Sequence, residues 1–217
     1  MNCLLGAASC TFSLTVFIAL LIVFEKRFVP GTTPRGMKFI LAISVLAGTA
    51  FVYEAWFGIL PWPALVAGLG LQLTGIVLFC CTVAATRNCR LTAAFEIDEP
   101  KFLLRTGPYG FVRHPFYTSY QLFWFGCAAA TLSPVCTVFS LVLAFTYVVA
   151  ARKEERKFEH STLSAEYAFY TCQAGIFWPR LSTKRKESVC RLSSEKAISE
   201  MELAPILHVP KVNRVPV

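Results

Sequence analysis

Long apolar runs with almost no charged residue dominate this sequence and restrict what the chain can fold into. They cover about Cys3 to Phe24, Phe39 to Ile59, Ala64 to Thr86, Phe116 to Leu132 and Val135 to Ala151. An apolar run of about 18 residues or more is typical of a transmembrane helix, because about 20 helical residues cross the hydrocarbon core of a bilayer. We therefore predict an all-α integral membrane protein with about five transmembrane spans.

The last two runs are short, about 17 residues each, and only Ser133 and Pro134 separate them. A break this tight predicts a helical hairpin that crosses the bilayer and returns. In the third run, Gly68, Gly70 and Gly75 have the small size that favours close helix packing in lipid.

Lysine and arginine residues predict the orientation in the membrane. They are concentrated in Lys26 to Lys38, Arg87 to Arg113 and Arg152 to Lys157, whereas the turn after Ile59 and the hairpin turn have none. The three basic segments share the cytosolic face if the N-terminus is lumenal and the C-terminus cytosolic. No basic residue precedes the first run, so a retained helix fits better than a cleaved signal peptide.

The net charge of +8 does not indicate nucleic-acid binding, because the basic residues lie between and after the spans rather than along one helix face. The nine cysteines are odd in number and contain no C-x-x-C pattern. We therefore expect no disulfide framework and no metal site. Nothing in these patterns indicates an oligomeric state.

The chain divides into three predicted regions. Residues 1–86 form three N-terminal transmembrane helices, and residues 87–181 form a core with the helical hairpin and a polar site. Residues 182–217 are rich in Lys, Glu, Ser and Pro and predict a mobile basic cytosolic tail. Its cluster at Lys184, Arg185 and Lys186 can contact anionic headgroups.

Two polar clusters flank the hairpin. One extends from Tyr109 to Tyr117 and the other from Arg152 to Glu155. Because the hairpin returns the chain, we expect its two feet to be neighbours on the cytosolic side. Each cluster alone could be a set of interfacial anchors. Ionisable residues at a membrane boundary are nevertheless candidates for a functional site.

The pattern G-P-Y-x-x-x-R-H-P-x-Y, then a hairpin, then E-E, resembles the isoprenylcysteine carboxyl methyltransferase family. That family belongs to a wider group that includes phospholipid N-methyltransferases. Gly107 to Tyr117, Glu154, Glu155 and the later A-E-Y at Ala165 carry the match, which covers about Lys101 to Pro179.

The resemblance implies S-adenosylmethionine as the methyl donor. It also implies catalytic roles for Arg113, Arg152 and Glu154, although the position of Arg152 differs from the family's by about half a helical turn. The cofactor-binding residues implied by the resemblance are Lys101, Phe102, Leu103, Leu104, Tyr109, His114, Pro115, Phe116, Tyr117, Glu154 and Glu155.

The residues leave the methyl acceptor open. We favour the C-terminal carboxylate of prenylated cysteine on CaaX-type proteins, which is already a nucleophile and needs a cation to position it. A phosphatidylethanolamine-type amine is the alternative, and it must first lose a proton. A nicotinamide-dependent reductase would require a longer chain. A non-enzymatic membrane scaffold is the remaining class. The resemblance implies an endoplasmic reticulum membrane, although a bacterial inner membrane satisfies the same physics.

Overall fold

The computed structural model describes residues 13, 15, 35–87 and 102–180. These ranges contain five α-helices, one short 3-10 helix and no strand beyond an isolated bridge. The prediction of an all-α membrane protein is confirmed. Three of these helices, Arg35–Phe57, Trp62–Ala85 and Pro134–Glu159, are long and apolar enough to cross a membrane. The helices are α1 (Arg35–Phe57), α2 (Trp62–Ala85), α3 (Pro115–Thr131), α4 (Pro134–Glu159) and α5 (Ser164–Gln173).

Several predictions from the sequence lie outside the described residues. They are the first span, the site residue Lys101 and the tail of residues 182–217.

The predicted hairpin is formed by α3 and α4, which are antiparallel and are joined by a two-residue turn. Leu132 ends α3 in the left-handed region with φ 51°, and its N–H bonds to the carbonyl of Ala128. Ser133 then occupies the N-cap position of α4, and Pro134 supplies the fixed φ that suits the first turn of a helix. With 17 residues, α3 is about 25 Å long, so it is the shortest of the long helices.

Helix α4 continues eight residues beyond the predicted end of its apolar run at Ala151. The added residues are mostly Arg, Lys and Glu, which are good helix formers, so nothing in them stops the helix. As a result, Glu154 and Glu155 lie on a rigid helix and not on a loop.

Helices α2 and α3 pack closely because glycines face each other across them. A Cβ atom at Gly68 would lie 2.5 Å from the Ala130 Cβ, and one at Gly126 would lie 2.7 Å from the Gly68 carbonyl oxygen. A Cβ at Gly75 would lie 2.8 Å from the Ser119 carbonyl oxygen. The packing role predicted for Gly68 and Gly75 is therefore confirmed.

The same role is wrong for Gly70, because a Cβ there would have nothing within 4 Å. Gly70 follows Gly68 by two residues, which is about 200° around a helix, so it faces away from α3.

Hydrogen bonds between side chains join the helices inside the membrane. Gln72 of α2 is fully buried, donates to the Cys127 sulfur at 3.2 Å and accepts from Ser13 at 3.1 Å. Ser133 in the hairpin turn donates to Glu54 of α1 at 2.7 Å. Because a buried polar group is costly unless it is paired, these bonds help fix which helices are neighbours.

The apolar core lies between α1, α3 and α4 and includes Phe51, Phe123, Trp124 and Leu143. A second, smaller cluster forms where α5 packs, around Tyr167 and Tyr170. The exposed valines and leucines of α1 and α2 lie on the outer sides of these helices. That distribution suits helices whose outer surface faces lipid and not water.

The cysteines in the described part of the chain are of two kinds. Cys172 on α5 is disulfide-bonded, although no disulfide framework was expected. An odd number of cysteines excludes the pairing of all of them in disulfides, but it is compatible with a single disulfide bond. Four other cysteines in the described part of the chain form no disulfide: Cys80, Cys81, Cys127 and Cys136.

Candidate active site

The R-H-P motif is presented by a turn followed by an extended segment. The turn is the 3-10 helix Gly107–Gly110, and Gly107 has φ 61°, a conformation that a glycine adopts without steric cost. Pro115 then occupies the first helical position of α3, where its missing N–H has no cost. Arg113 and His114 therefore lie immediately before the first turn of the hairpin.

The segment that follows α5 fixes the backbone of this motif. Arg113 donates its N–H to the Gly175 carbonyl at 2.7 Å, and Gly175 donates to the Phe111 carbonyl at 3.2 Å. His114 donates its N–H to the Ile176 carbonyl at 3.2 Å. These bonds form a short parallel bridge, so the position of both side chains depends on residues sixty positions later.

Arg113 and His114 meet Glu154 and Glu155 of α4 in a compact charged cluster. Arg113 Nη1 is 3.2 Å from Glu155 Oε1, and His114 Nδ1 is 3.2 Å from Glu154 Oε2. His114 Nε2 is 3.4 Å from Glu155 Oε1, and the Tyr117 hydroxyl donates to Glu154 Oε1 at 2.8 Å. Since both ring nitrogens face carboxylates, the geometry favours the protonated imidazolium, in which both nitrogens are donors.

The cluster is shielded from solvent to different degrees. The exposed fractions of the side chains are 9% for His114, 12% for Arg113, 14% for Glu155 and 27% for Glu154. Glu154 is therefore the carboxylate most accessible to a bound molecule. Charges this buried interact more strongly than charges at a surface, because less water screens them.

The pKa of His114 is raised above its ordinary value. Burial favours the neutral ring and lowers this pKa, but hydrogen bonds and charge interactions with Glu154 and Glu155 outweigh burial. His114 is therefore a cation at pH values where an unperturbed histidine has already lost much of its charge.

This raised pKa predicts a pH dependence of stability. The protonated ring stabilises the fold fully below pH 6.5, the pKa of an unperturbed histidine, and this stabilisation is lost as the pH rises through the higher pKa of the folded state. We expect the melting temperature of the purified protein to fall over that range, and to fall less in His114→Gln. Thermal unfolding at a series of pH values measures the melting temperatures of the parent protein and of His114→Gln. Parallel curves of melting temperature against pH for the two proteins would contradict the prediction.

Aromatic rings surround the cluster. The Tyr117 ring lies between two others: its centroid is 5.7 Å from that of His114 and 5.6 Å from that of Tyr147, and both pairs are stacked. Phe177 lies on another side of His114, at 6.1 Å. Tyr147 is not among the site residues predicted from the sequence. Its position two helical turns before Glu154, on the same face of α4, is the signal that could have found it.

Two buried polar atoms of the site lack a regular hydrogen bond within the described part of the chain. They are Arg113 Nε and the Tyr167 hydroxyl. The Tyr167 hydroxyl lies beside Glu155 and Arg113, whose charges act on it. Buried polar groups are usually hydrogen-bonded, so these two atoms are candidates for a hydrogen bond with a bound molecule or a water molecule.

The structure thus brings together Arg113, His114, Tyr117, Glu154 and Glu155 among the predicted site residues. Arg152 is exposed on α4, and no ion pair found among the described residues includes it.

The other predicted site residues surround this cluster without joining it. Tyr109 accepts a hydrogen bond on its carbonyl from the Tyr170 hydroxyl at 2.6 Å. Phe116 packs edge-on against Phe79 of α2. Pro115 is buried, Leu103 packs against the α5 cluster, Leu104 is half-buried and Phe102 is exposed.

Fold and site together define a helical membrane protein with a buried mixed-charge site at the foot of a hairpin. The family model of phospholipid methyltransferases matches residues 63–165, which include most of α2, all of α3 and α4, and the charged cluster. The cobalt-zinc-cadmium resistance protein CzcN of Cupriavidus metallidurans is 33% identical over 156 residues, covering 70% of this chain and 67% of that protein. No solved structure matches.

The chain therefore belongs to the isoprenylcysteine and phospholipid methyltransferase group, which consists of membrane methyltransferases. The resemblance predicted from the motifs is confirmed.

Proposed function

We propose that this protein transfers the methyl group of S-adenosylmethionine to the C-terminal carboxylate of prenylated cysteine on CaaX-type proteins. The observation that carries the proposal is the cluster in which a cationic His114 is held between Glu154 and Glu155, beside Arg113. This cluster offers both signs of charge at the end of a helical hairpin, where a charged cofactor and a lipid-borne acceptor can meet.

The side chains of the cluster suit S-adenosylmethionine, which has a carboxylate, an ammonium and a sulfonium. Glu154 is the more exposed carboxylate and would receive the ammonium. Arg113 has an Nε without a hydrogen bond of regular geometry among the described residues, and this atom would donate to the carboxylate of the cofactor. When bound, the cofactor supplies an electrophilic methyl group.

His114 and Tyr117 would position Glu154, since both contact its oxygens. Glu155 would hold Arg113 in place from the other side. Methyl transfer from a sulfonium is an in-line displacement, so the work of the protein is alignment and exclusion of water. The low exposure of Arg113, His114 and Glu155 suits this task.

The protonation of His114 favours an acceptor that is already ionised. His114 is a poor base in this setting, because both of its ring nitrogens face carboxylates and its raised pKa favours the ring that already carries the proton it would have to accept. A prenylcysteine carboxylate needs no base. It needs a cation to position it, and Arg152 is an exposed cation on the helix that carries both carboxylates.

A phospholipid amine is the second candidate. The description of the matching family model favours it, and Glu154 could then accept the proton from the amine. A scaffold without activity is the third. A cytosolic position of the site and an endoplasmic reticulum membrane stay predictions from the sequence.

The test offers both acceptors to membranes that contain the full-length protein and methyl-labelled S-adenosylmethionine. We expect base-labile label on a farnesylated cysteine analogue, as a methyl ester requires. Base-stable label on phosphatidylethanolamine would overturn the carboxylate assignment in favour of the amine. No label on either, with the same result for Glu154→Ala membranes, would overturn the enzymatic proposal.

A further inference from the structure

Tyr147 belongs to a stack of rings that begins in the charged cluster. It is 3% exposed and lies on α4 seven residues before Glu154, about 10 Å deeper along the helix. Its ring is stacked on Tyr117, with 5.6 Å between the centroids and 16° between the planes. Tyr117 in turn is stacked on His114 and donates its hydroxyl hydrogen to Glu154.

Contacts on its other sides hold Tyr147 in place. Its ring packs against Tyr120 of α3 at 5.8 Å. Its hydroxyl interacts with the side chains of Ser44 on α1 and Trp124 on α3. Contacts with α1 and α3, together with its place on α4, therefore determine where the Tyr147 ring lies. The Tyr117 ring, in turn, is held on one of its two faces by Tyr147.

We propose that Tyr147 is a positioning residue for methyl transfer: its ring supports Tyr117 from deeper in the helical bundle and so holds the carboxylate of Glu154 in place. The inference rests on the proposed function, in which Glu154 receives the ammonium of the cofactor. Without the supporting ring, the side chain of Tyr117 gains rotational freedom. The hydrogen bond that orients Glu154 is then formed in only some of the conformations of Tyr117. A misplaced contact of this kind lowers the rate even when all reacting groups are present.

The chain supplies a conservative variant and a matched control. Tyr147→Phe keeps the stacked ring, and Tyr147→Leu removes it. Tyr53→Leu removes a tyrosine ring from α1 that is 63% exposed and lies tilted against Phe57, away from the charged cluster.

We expect Tyr147→Leu to lower kcat for methyl transfer about tenfold, the upper range for one lost aromatic pair. The dissociation constant for S-adenosylmethionine, measured by calorimetry, should rise by a similar factor. Tyr147→Phe should stay within about threefold of the parent protein in both quantities, and Tyr53→Leu should match the parent.

A spectroscopic measurement tests the stack without any methyl transfer. The chain has three histidines, so carbon-13 labelling of histidine gives few NMR signals, and His160→Gln and His208→Gln assign the remaining one to His114. The Tyr117 ring displaces the His114 signal from those of the other two histidines. In Tyr147→Leu we expect that signal to move toward them, and in Tyr147→Phe to stay.

If Tyr147→Leu matches Tyr53→Leu in kcat, cofactor binding and His114 signal, Tyr147 has no positioning role. If Tyr147→Leu does not insert into membranes, Tyr147→Met offers a flexible side chain that adapts to the space without a ring, and it must give the same losses. A parent protein that transfers no methyl group would defeat the proposed function, while the His114 signal would still decide whether Tyr147 holds the stack.

Discussion

His114→Ala should slow methyl transfer by about a hundredfold, the order of magnitude for misaligned reacting groups. His114 is the residue that contacts both carboxylates, and its ring stacks on Tyr117, which orients one of them. Without the imidazolium, Glu155 keeps Arg113 as its cation, and Glu154 keeps only the hydroxyl of Tyr117, which has no charge. Repulsion between the two carboxylates would move them apart and destroy the alignment that the reaction needs. Initial rates with methyl-labelled S-adenosylmethionine measure the loss.

His160→Ala is the matched control for this prediction. His160 is an exposed histidine at the C-cap position of α4, the helix that carries Glu154 and Glu155. We expect its removal to leave the rate unchanged. Gel filtration in detergent shows whether each variant is inserted and folded. Full activity in a folded His114→Ala protein would mean that the charged cluster is not the active site.

His114→Gln guards against a variant that does not fold. Glutamine keeps a hydrogen-bond donor near the carboxylates and has no charge, so the chain around it can stay in place. We expect a folded protein whose transfer rate is still far below that of the parent. A parental rate in this variant would show that the positive charge of His114 is not needed.

The sequence predicted the hairpin and the meeting of its two feet because both follow from local signals. Ser133 and Pro134 interrupt an apolar stretch, so two short helices must run antiparallel. Once that is so, Arg113 and Glu155 must be neighbours although they are far apart in the chain, and the structure places them 3.2 Å apart.

The remaining features of the site depend on contacts that a single sequence does not display. The sequence does not indicate that Gly175 and Ile176 fix the backbone of Arg113 and His114, because that pairing joins two loops. Nor does apolar periodicity distinguish Tyr147 from other aromatic residues in a span. The apolar run ends at Ala151 while α4 continues to Glu159, because an apolar run marks the part of a helix that suits the membrane and not the end of the helix.

A further prediction concerns the contact between α2 and α3. Gly68→Ala should destabilise the protein by about 1–3 kcal/mol. Its new Cβ would lie 2.5 Å from both the Ala130 Cβ and the Gly126 carbonyl oxygen, and the second of these is backbone and cannot rotate away. The two helices must therefore separate, and thermal unfolding in detergent measures the loss as a lower melting temperature.

Gly70→Ala makes the same chemical change two residues further along α2. A Cβ there meets nothing within 4 Å, so the higher helix propensity of alanine should leave the stability equal to that of the parent or raise it. Equal melting temperatures for the two variants would show that α2 and α3 do not pack as described.

The position of this contact links helix packing to the active site. Gly126 lies on α3, and the same helix begins at Pro115, directly after His114. Separation of α2 from α3 at Gly68 would therefore tilt the helix whose first turn contains Tyr117, while Glu154 stays on α4. We expect Gly68→Ala to transfer methyl groups more slowly than Gly70→Ala even at temperatures where both are folded.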